Sequence, residues 1–257
     1  LSYHQHIAGK IGLLNYFDLN MKNEVYKRHI DNFSKHWWFQ ARKEIIREII
    51  DNKIKKKIDI LDFGSGSGVN INMLSKFGFI NIYEPHSDTK NYLKHKYKNK
   101  SKFKILDKIK NKKFDLIILA DVLEHIKKDK KVIEKLSNNL KHNGQILITV
   151  PAYQFLFSMK DITLGHYRRY NKTQILKLFQ KFKIIKLTYF NFFLFTPISF
   201  LILFFKLFKI DFINKVESAP NQYINKTLFH IFSIERKIIK ILDLPFGLSL
   251  LGLFKKK

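Results

Sequence analysis

The sequence predicts an α/β protein built on a doubly wound, mostly parallel sheet, and three observations predict it. Short apolar runs alternate with helix-spaced segments five times between Ile58 and Val150, the rhythm of strand–helix–strand units. One run, "FDLIILA" at 114–120, is apolar almost throughout, as strands covered on both faces are. "ILDFGSGSGVN", Ile60–Asn70, puts glycines at 64, 66 and 68 straight after the first apolar run. In an open parallel sheet ligands bind at that carboxyl edge.

The elements follow in order. "HWWFQARKEIIREII", 36–50, repeats apolar residues at helical spacing and reads as an amphipathic helix. Ile58–Phe63 is a buried strand, and Asn70–Phe77 a helix closed by Gly78. "FINIYE", 79–84, is a second strand ended by Pro85, Ser87–Tyr97 a polar helix, and "FKIL", 103–106, a third strand. After the fourth strand at 114–120, Lys128–Leu140 reads as a helix ended by "NG", and "QILITV", 145–150, as a strand stopped by Pro151. "AYQFLFSMKDITLGHYRRY", 152–170, is a loop of a length usually kept for function. A helix at 172–181, a strand at 182–190, a helix at 225–242 and a strand "SLLGLF" at 249–254 complete the chain. No internal repeat is visible.

The chain of 257 residues carries no cysteine. Disulfides and thiolate-metal sites are excluded, which fits a reducing cytoplasm. Residues 1–20 lack a basic start followed by an apolar run, so no secretory signal is read there. Met21 opens "MKNEVYKRHIDNF", which reads as a natural start, with residues 1–20 as an upstream extension. The net charge of +27 would draw polyanions and anionic membranes. Only six of the 48 basic residues are Arg, whereas Lys, Asn, Ile and Phe are abundant. That bias is compositional and argues against a nucleic-acid reader, which uses Arg for bidentate contacts.

Gly64, Gly66 and Gly68 can adopt positive φ and let a ligand approach the backbone, with amides of the following helix start facing it. A dinucleotide loop would carry a glycine where Val69 stands. The spacing instead is Asp62-x-Gly64-x-Gly66-x-Gly68, with Glu84 following 22 residues after Asp62. A carboxylate at the end of the second strand can accept both hydrogen bonds of a ribose diol. The combination suits a nucleoside carrying an amino-acid tail.

Asp62–Gly68, Glu84, "FDLIILADVLEHI" and "GQILITVPAY" together resemble a class I S-adenosylmethionine-dependent methyltransferase. The likeness continues through "LGHYRRYNKTQILKLF" and "KLTYFNFFLF", as in a bacterial subgroup, and runs from about Phe33 to the C-terminus. It implies a Rossmann-like sheet of seven strands whose last two, Lys183–Phe190 and Ser249–Phe254, are antiparallel. It also implies an N-terminal helical cap and a helical insertion between those two strands. The expected organisation is an extension and cap at 1–50, a cofactor-binding core at 51–190, an apolar helical insertion at 191–248, and a last strand with a Lys tail at 249–257.

The same resemblance implies S-adenosyl-L-methionine as cofactor and no metal. Asp62, Gly64, Ser65, Gly66 and Gly68 would hug its methionine moiety and Glu84 its ribose. Ala120 and Asp121 would border the methionine end, with a helix N-cap as the plainer reading of Asp121. Arg42 is the candidate for the methionine carboxylate, against a surface cation, and Trp38 lines the substrate side, against a core anchor. Asp107 would meet the adenine amino group or be a surface acid. His125 reads as a helix-start residue packing beneath the site. His166 is the candidate base, since an imidazole's ordinary pKa of about 6.5 suits that role. Arg168, Arg169 and Tyr170 would hold substrate, against a structural turn. The subgroup often carries His-Asp where this chain has Lys160-Asp161, which leaves Asp161 as the second catalytic candidate.

Enzymes that methylate base amines usually carry an Asn- or Asp-Pro-Pro-aromatic turn where this chain has "ADVLEH". The expected acceptor is therefore a small molecule or a lipid- or glycan-linked one, methylated on oxygen, with nitrogen or carbon open. "LTYFNFFLFTPISFLILFF", 187–205, is 19 residues without charge. Pro197 argues against a spanning helix, and an interfacial helix at 197–210 flanked by Lys206 and Lys209 fits an anionic membrane. A buried helix or a homodimer contact is the alternative. The expected location is the cytoplasm, peripheral to the inner membrane face. The competing function classes are a non-catalytic membrane- or nucleic-acid-associated protein with the same fold, and a nicotinamide oxidoreductase, which Val69 disfavours.

Overall fold

A computed structural model describes residues 35–53, 57–98, 100–208 and 220–257. The expected extension at 1–20 and the end of the expected interfacial helix, including Lys209, lie outside the described residues. Each apolar run of the first half becomes a strand: β1 (Ile58–Phe63), β2 (Gly78–Tyr83), β3 (Phe103–Ile105), β4 (Phe114–Ala120) and β5 (Leu140–Pro151). β6 (Phe182–Phe190) and β7 (Ser249–Lys256) complete one seven-stranded sheet in the order β3-β2-β1-β4-β5-β7-β6. The first five strands pair in parallel. β7 runs antiparallel to both neighbours, with Gly252 facing Ile148 on one side and Leu187 on the other. Strand order reverses between β1 and β4, so the ligand crevice of this topology opens at their carboxyl ends.

Helices α1 (Trp37–Lys53), α2 (Ile71–Leu74), α3 (Ser87–Lys96), α4 (Asp129–Asn138), α5 (Met159–Thr163), α6 (Lys172–Leu178), α7 (Phe195–Leu207) and α8 (Gln222–Ile241) connect and cover the sheet. β4 owes its central place to its composition, for Leu116, Ile117, Ile118 and Leu119 are fully buried. α1 and α8 pack side by side, tied by Trp37 N–H to Asn225 Oδ1 at 2.8 Å, Arg236 to Glu44 at 3.4 Å and Lys240 to Glu48 at 3.0 Å. Both partners' numbers rise together, so the two helices run in the same direction. Phe232 seals the joint. It stacks on Trp38 and Phe190, with ring centres 5.2 and 5.8 Å away.

Some elements differ from expectation. The helix expected at 70–77 is one turn, Ile71–Leu74, because Phe77 N–H turns back to Leu74 O and the chain enters β2 at Gly78. A Cβ at Gly78 would lie 1.8 Å from Ile58 O, so only glycine permits that entry. "NG" does not end a helix. Asn143, at φ 63°, and Gly144 form a bulge inside the longer β5, where pairing jumps from Phe114↔Leu140 to Leu116↔Gln145. The helix expected at 172–181 ends at Leu178. The long loop holds a short 3₁₀ turn, Gln154–Leu156, and α5. No described helix is long and apolar enough to cross a membrane.

Candidate active site

The site starts from three left-handed glycines after β1. Gly64, Gly66 and Gly68 have φ of 72°, 54° and 76°, a region that side-chain-bearing residues rarely adopt. Two of them serve close packing: a Cβ at Gly64 would lie 2.9 Å from Val122, and one at Gly68 would lie 2.8 Å from Ile71 and Leu93. Gly66 differs, because a Cβ there would meet nothing within 4 Å. Its face is open.

Two buried carboxylates hold this loop. Asp62 Oδ2 accepts from Ser65 Oγ at 2.6 Å. Glu84, one residue beyond β2, accepts from the Gly66 N–H at 2.7 Å and the His86 N–H at 2.9 Å. Burial pushes Asp62 up to about 6, against the Ser65 hydrogen bond and the charge of Arg42. Burial pushes Glu84 up to about 7, against the hydrogen bonds from His86 and Gly66. A carboxylate in that state gains from any further donor that approaches it.

β4 supplies the opposite wall. Ala120 is half-buried at its end. Asp121 follows at φ 56°, strained for a non-glycine residue and typical of functional strand ends. Thr149 of β5 holds it there: Asp121 N–H donates to Thr149 O at 3.0 Å, and Thr149 Oγ1 donates to Asp121 Oδ1 at 2.7 Å. Arg42 of α1 forms an ion pair with Asp121 Oδ2. Its Nε is buried and finds no acceptor among the described residues.

The loop after β5 folds back over this edge. Ser158 and Asp161 form a capping box that starts α5. Asp161 is buried and receives three charge-assisted bonds: His166 Nδ1 at 2.9 Å, Arg169 Nε at 2.8 Å and Arg169 Nη2 at 2.8 Å. Burial alone would raise its pKa, yet the hydrogen bonds from His166 and Arg169 hold it well below the usual carboxylate range. His166 meets His125 edge to face, ring centres 4.6 Å apart. Glu124 is 1% exposed, and neither carboxyl oxygen has a hydrogen-bond partner among the described residues. Burial, then the charge of Asp121, raises its pKa well above normal. Glu124, His125 and His166 each bring one donor atom within 4.8 Å of the others, a set of the kind that binds divalent metals.

Other expected site residues have partners within the protein. Arg168 donates to Asp129 Oδ2 at 2.9 Å and Lys127 O at 3.0 Å. Tyr170 is buried and donates to the same Asp129 oxygen at 2.8 Å. These two converge on the start of α4. Trp38 packs against both Phe190 and Phe232 in a cluster of three rings. Asp107 is exposed and paired with Lys90. Thr149, Glu124 and Asp129 were not legible as site residues. Glu124 had one usable signal: an acid directly after the apolar pair Val122–Leu123 and beside His125.

A family described as "Methyltransferase domain" matches residues 35–187. The chain belongs to it. This methyltransferase, of the class I S-adenosylmethionine-dependent kind, is 30% identical over 172 residues to "Ubiquinone biosynthesis O-methyltransferase" of Pelagibacter ubique (strain HTCC1062). That match covers 52% of this chain and 70% of the relative. Its fold is similar to N-methyltransferase NodS from Bradyrhizobium japonicum WM9, solved with S-adenosyl-l-homocysteine. There the TM-score is 0.54 at 13% identity, over 91% of this chain and 97% of that one. It is also similar to coclaurine N-methyltransferase bound to N-methylheliamine and S-adenosyl-l-homocysteine, at TM-score 0.53 and 13% identity, over 83% of this chain and 72% of that one. The residues of this methyltransferase fit its cofactor, S-adenosylmethionine. Gly66 leaves open space beside Glu84, and the orphaned Arg42 Nε suits a carboxylate.

Proposed function

We propose that this methyltransferase acts on a hydroxyl oxygen of a small-molecule or lipid-linked acceptor, with His166 as general base and Asp161 as its positioning residue. The observation that carries the reading is the 2.9 Å contact between His166 Nδ1 and the buried Asp161. A carboxylate kept ionised by Arg169 holds Nδ1 as the protonated nitrogen, which leaves Nε2 as the proton acceptor. An amine acceptor that arrives neutral needs little help from a base, whereas a hydroxyl gains about 10²–10⁴-fold from one. The Pelagibacter relative is by name an O-methyltransferase, which supports oxygen over nitrogen.

Bound S-adenosylmethionine supplies a methyl group already activated on a positively charged sulfur. The remaining work belongs to the chain. The Gly64–Gly68 backbone would lie against the methionine moiety, with Asp62 and Ser65 fixing the loop. Glu84 would accept from the ribose hydroxyls. Arg42, anchored on Asp121, would offer its Nε to the methionine carboxylate, beside Ala120. His166 takes the acceptor's hydroxyl proton at Nε2. Arg168, Arg169, Tyr170 and Trp38 brace the walls of the acceptor side. Alignment of this kind contributes roughly 7–11 kcal/mol of barrier lowering.

The test uses the full chain, S-adenosylmethionine, and catechol and dopamine as probes, with products identified by mass spectrometry. Dopamine offers hydroxyl and amine groups on one molecule. The expected products are an O-methyl ether and S-adenosyl-l-homocysteine in equal amounts, lost in His166→Gln. Methylation of dopamine nitrogen, or an undiminished rate in His166→Gln, overturns the reading.

A further inference from the structure

α7 is built inside out. Of its thirteen residues only Ser199 is buried. Phe200 is 70% exposed and Leu207 76% exposed, with Leu203 and Phe204 at 42% and 41%. Positions 200, 203, 204 and 207 fall on one helical stripe, so the outward face is apolar. Its rings touch one another: Phe204 lies 6.2 Å from Phe200 and 4.5 Å from Phe208. A contiguous apolar face of that kind marks an interaction surface.

The first turn of α7 packs toward the candidate active site. Phe195, in the first turn of α7, packs 5.5 Å from Tyr153, which packs 5.4 Å from Phe155. Phe155 is 51% exposed, and beyond it Met159 and Ile162 of α5 are 52% and 56% exposed. α5 is the helix that carries Asp161. α7 is thus tied, through the partly buried Phe195 and Tyr153, to a second group of exposed apolar residues on the loop that holds His166.

We propose that α7 and the Phe155–Ile162 segment dock this protein on an anionic lipid bilayer, with the His166 loop facing the lipid. Charge selects that occupant. The chain carries +27, and between Leu187 and Ile210 the only charged residues are Lys206 and Lys209. Lysines beside an apolar stripe attract anionic headgroups. A second copy of this chain would bring two bodies of the same large charge together. α7 is too short to span, so it lies in the interface. The docking stands on its own observations. That the acceptor resides in the bilayer rests on the function proposed above.

Flotation of the full chain tests the docking, with phosphatidylcholine vesicles against vesicles of phosphatidylcholine and phosphatidylglycerol. The protein is expected to float with the anionic vesicles and not with the neutral ones. Phe204→Ser with Leu207→Ser should lower the vesicle partition coefficient at least ~100-fold, since each removes apolar surface worth tenfold or more. Lys206→Glu should lower it several-fold. Calorimetry with S-adenosylmethionine on the same variants should be unchanged, which separates failure of docking from failure of the methyltransferase site. Three results overturn the proposal: no flotation with anionic vesicles, flotation that the α7 variants leave intact, or a dimer in sedimentation that these variants dissolve while vesicles bind nothing.

Discussion

Asp161 and His166 lie five residues apart and face each other across one turn, Oδ1 to Nδ1 at 2.9 Å. The His166 N–H also returns to Asp161 O at 2.8 Å, so backbone and side chain close the same loop. Arg169 fills the other side of the carboxylate. The imidazole is therefore held at one nitrogen by a group that does not itself titrate near neutrality.

His166→Gln should lower kcat by about 10²–10⁴-fold and leave the calorimetric affinity for S-adenosylmethionine within error. Asp161→Asn should lower kcat less and change the shape of the pH–rate profile, because the imidazole loses its ionised partner. It should also lower thermal stability, since Arg169 is left as an unpaired buried charge, a loss of about 3–5 kcal/mol. Steady-state kinetics across pH and a melting curve separate the two effects.

Glu84 should make cofactor binding pH-dependent. Its free carboxyl stands at about 7, and ribose hydroxyls favour its ionised form, so its pKa falls on binding. Affinity for S-adenosylmethionine should then rise with pH up to about 7 and level off above it. Glu84→Gln should flatten that dependence and weaken binding about 10–100-fold at pH 8, the range for losing hydrogen bonds to a charged group. Calorimetry at several pH values reads both.

The same carboxyl should shape stability of the cofactor-free protein with the opposite sign from an ordinary salt-bridged acid. Its folded pKa, about 7, lies above a glutamate's ordinary 4.5. Its contribution is therefore present below about 4.5 and lost as pH rises through about 7. Denaturation at pH 4.5 and pH 8 should show Glu84→Gln gaining on the wild type at the higher pH, by on the order of 3 kcal/mol. An equal difference at both pH values would show that Glu84 titrates normally.

Gly68 and Gly66 should respond differently to alanine. Gly68→Ala meets Ile71 and Leu93 at 2.8 Å and should destabilise the fold strongly. Gly66→Ala meets nothing within 4 Å. It should cost stability only the strain of its positive φ, about 1–2 kcal/mol, while its methyl takes space beside Glu84. Its S-adenosylmethionine affinity should fall at least ~10-fold, with the melting temperature lowered by about 2–8 °C. Equal affinity in Gly66→Ala and the wild type would exclude close approach of the ligand to this loop.

Phe232→Ala should loosen α8 from α1, at about 3–5 kcal/mol. Arg42 sits on α1, so S-adenosylmethionine affinity should fall with it. Unfolding by denaturant and calorimetry check the two effects together.

Local sequence patterns were enough for the sheet's parallel half. The apolar runs at 58–63 and 114–120 become strands at those same bounds, because burial on both faces leaves little freedom of register or length. Glycines at alternate positions and an acid at the end of β2 were legible for the same reason: their backbone angles and spacing are local. What tertiary structure decided is different in kind. The one-turn α2 and the bulged β5 depend on contacts with Ile58 and Phe114, far along the chain. The Arg42–Asp121 pair joins residues 79 positions apart, and Glu124 looks like any helix-start acid until its burial is known. No local pattern carries such partners, since they meet only once the sheet has closed. The residues of α7 fit an interfacial helix or a buried one equally by pattern, and only packing decided that Ser199 faces inward and Phe200 and Phe204 outward.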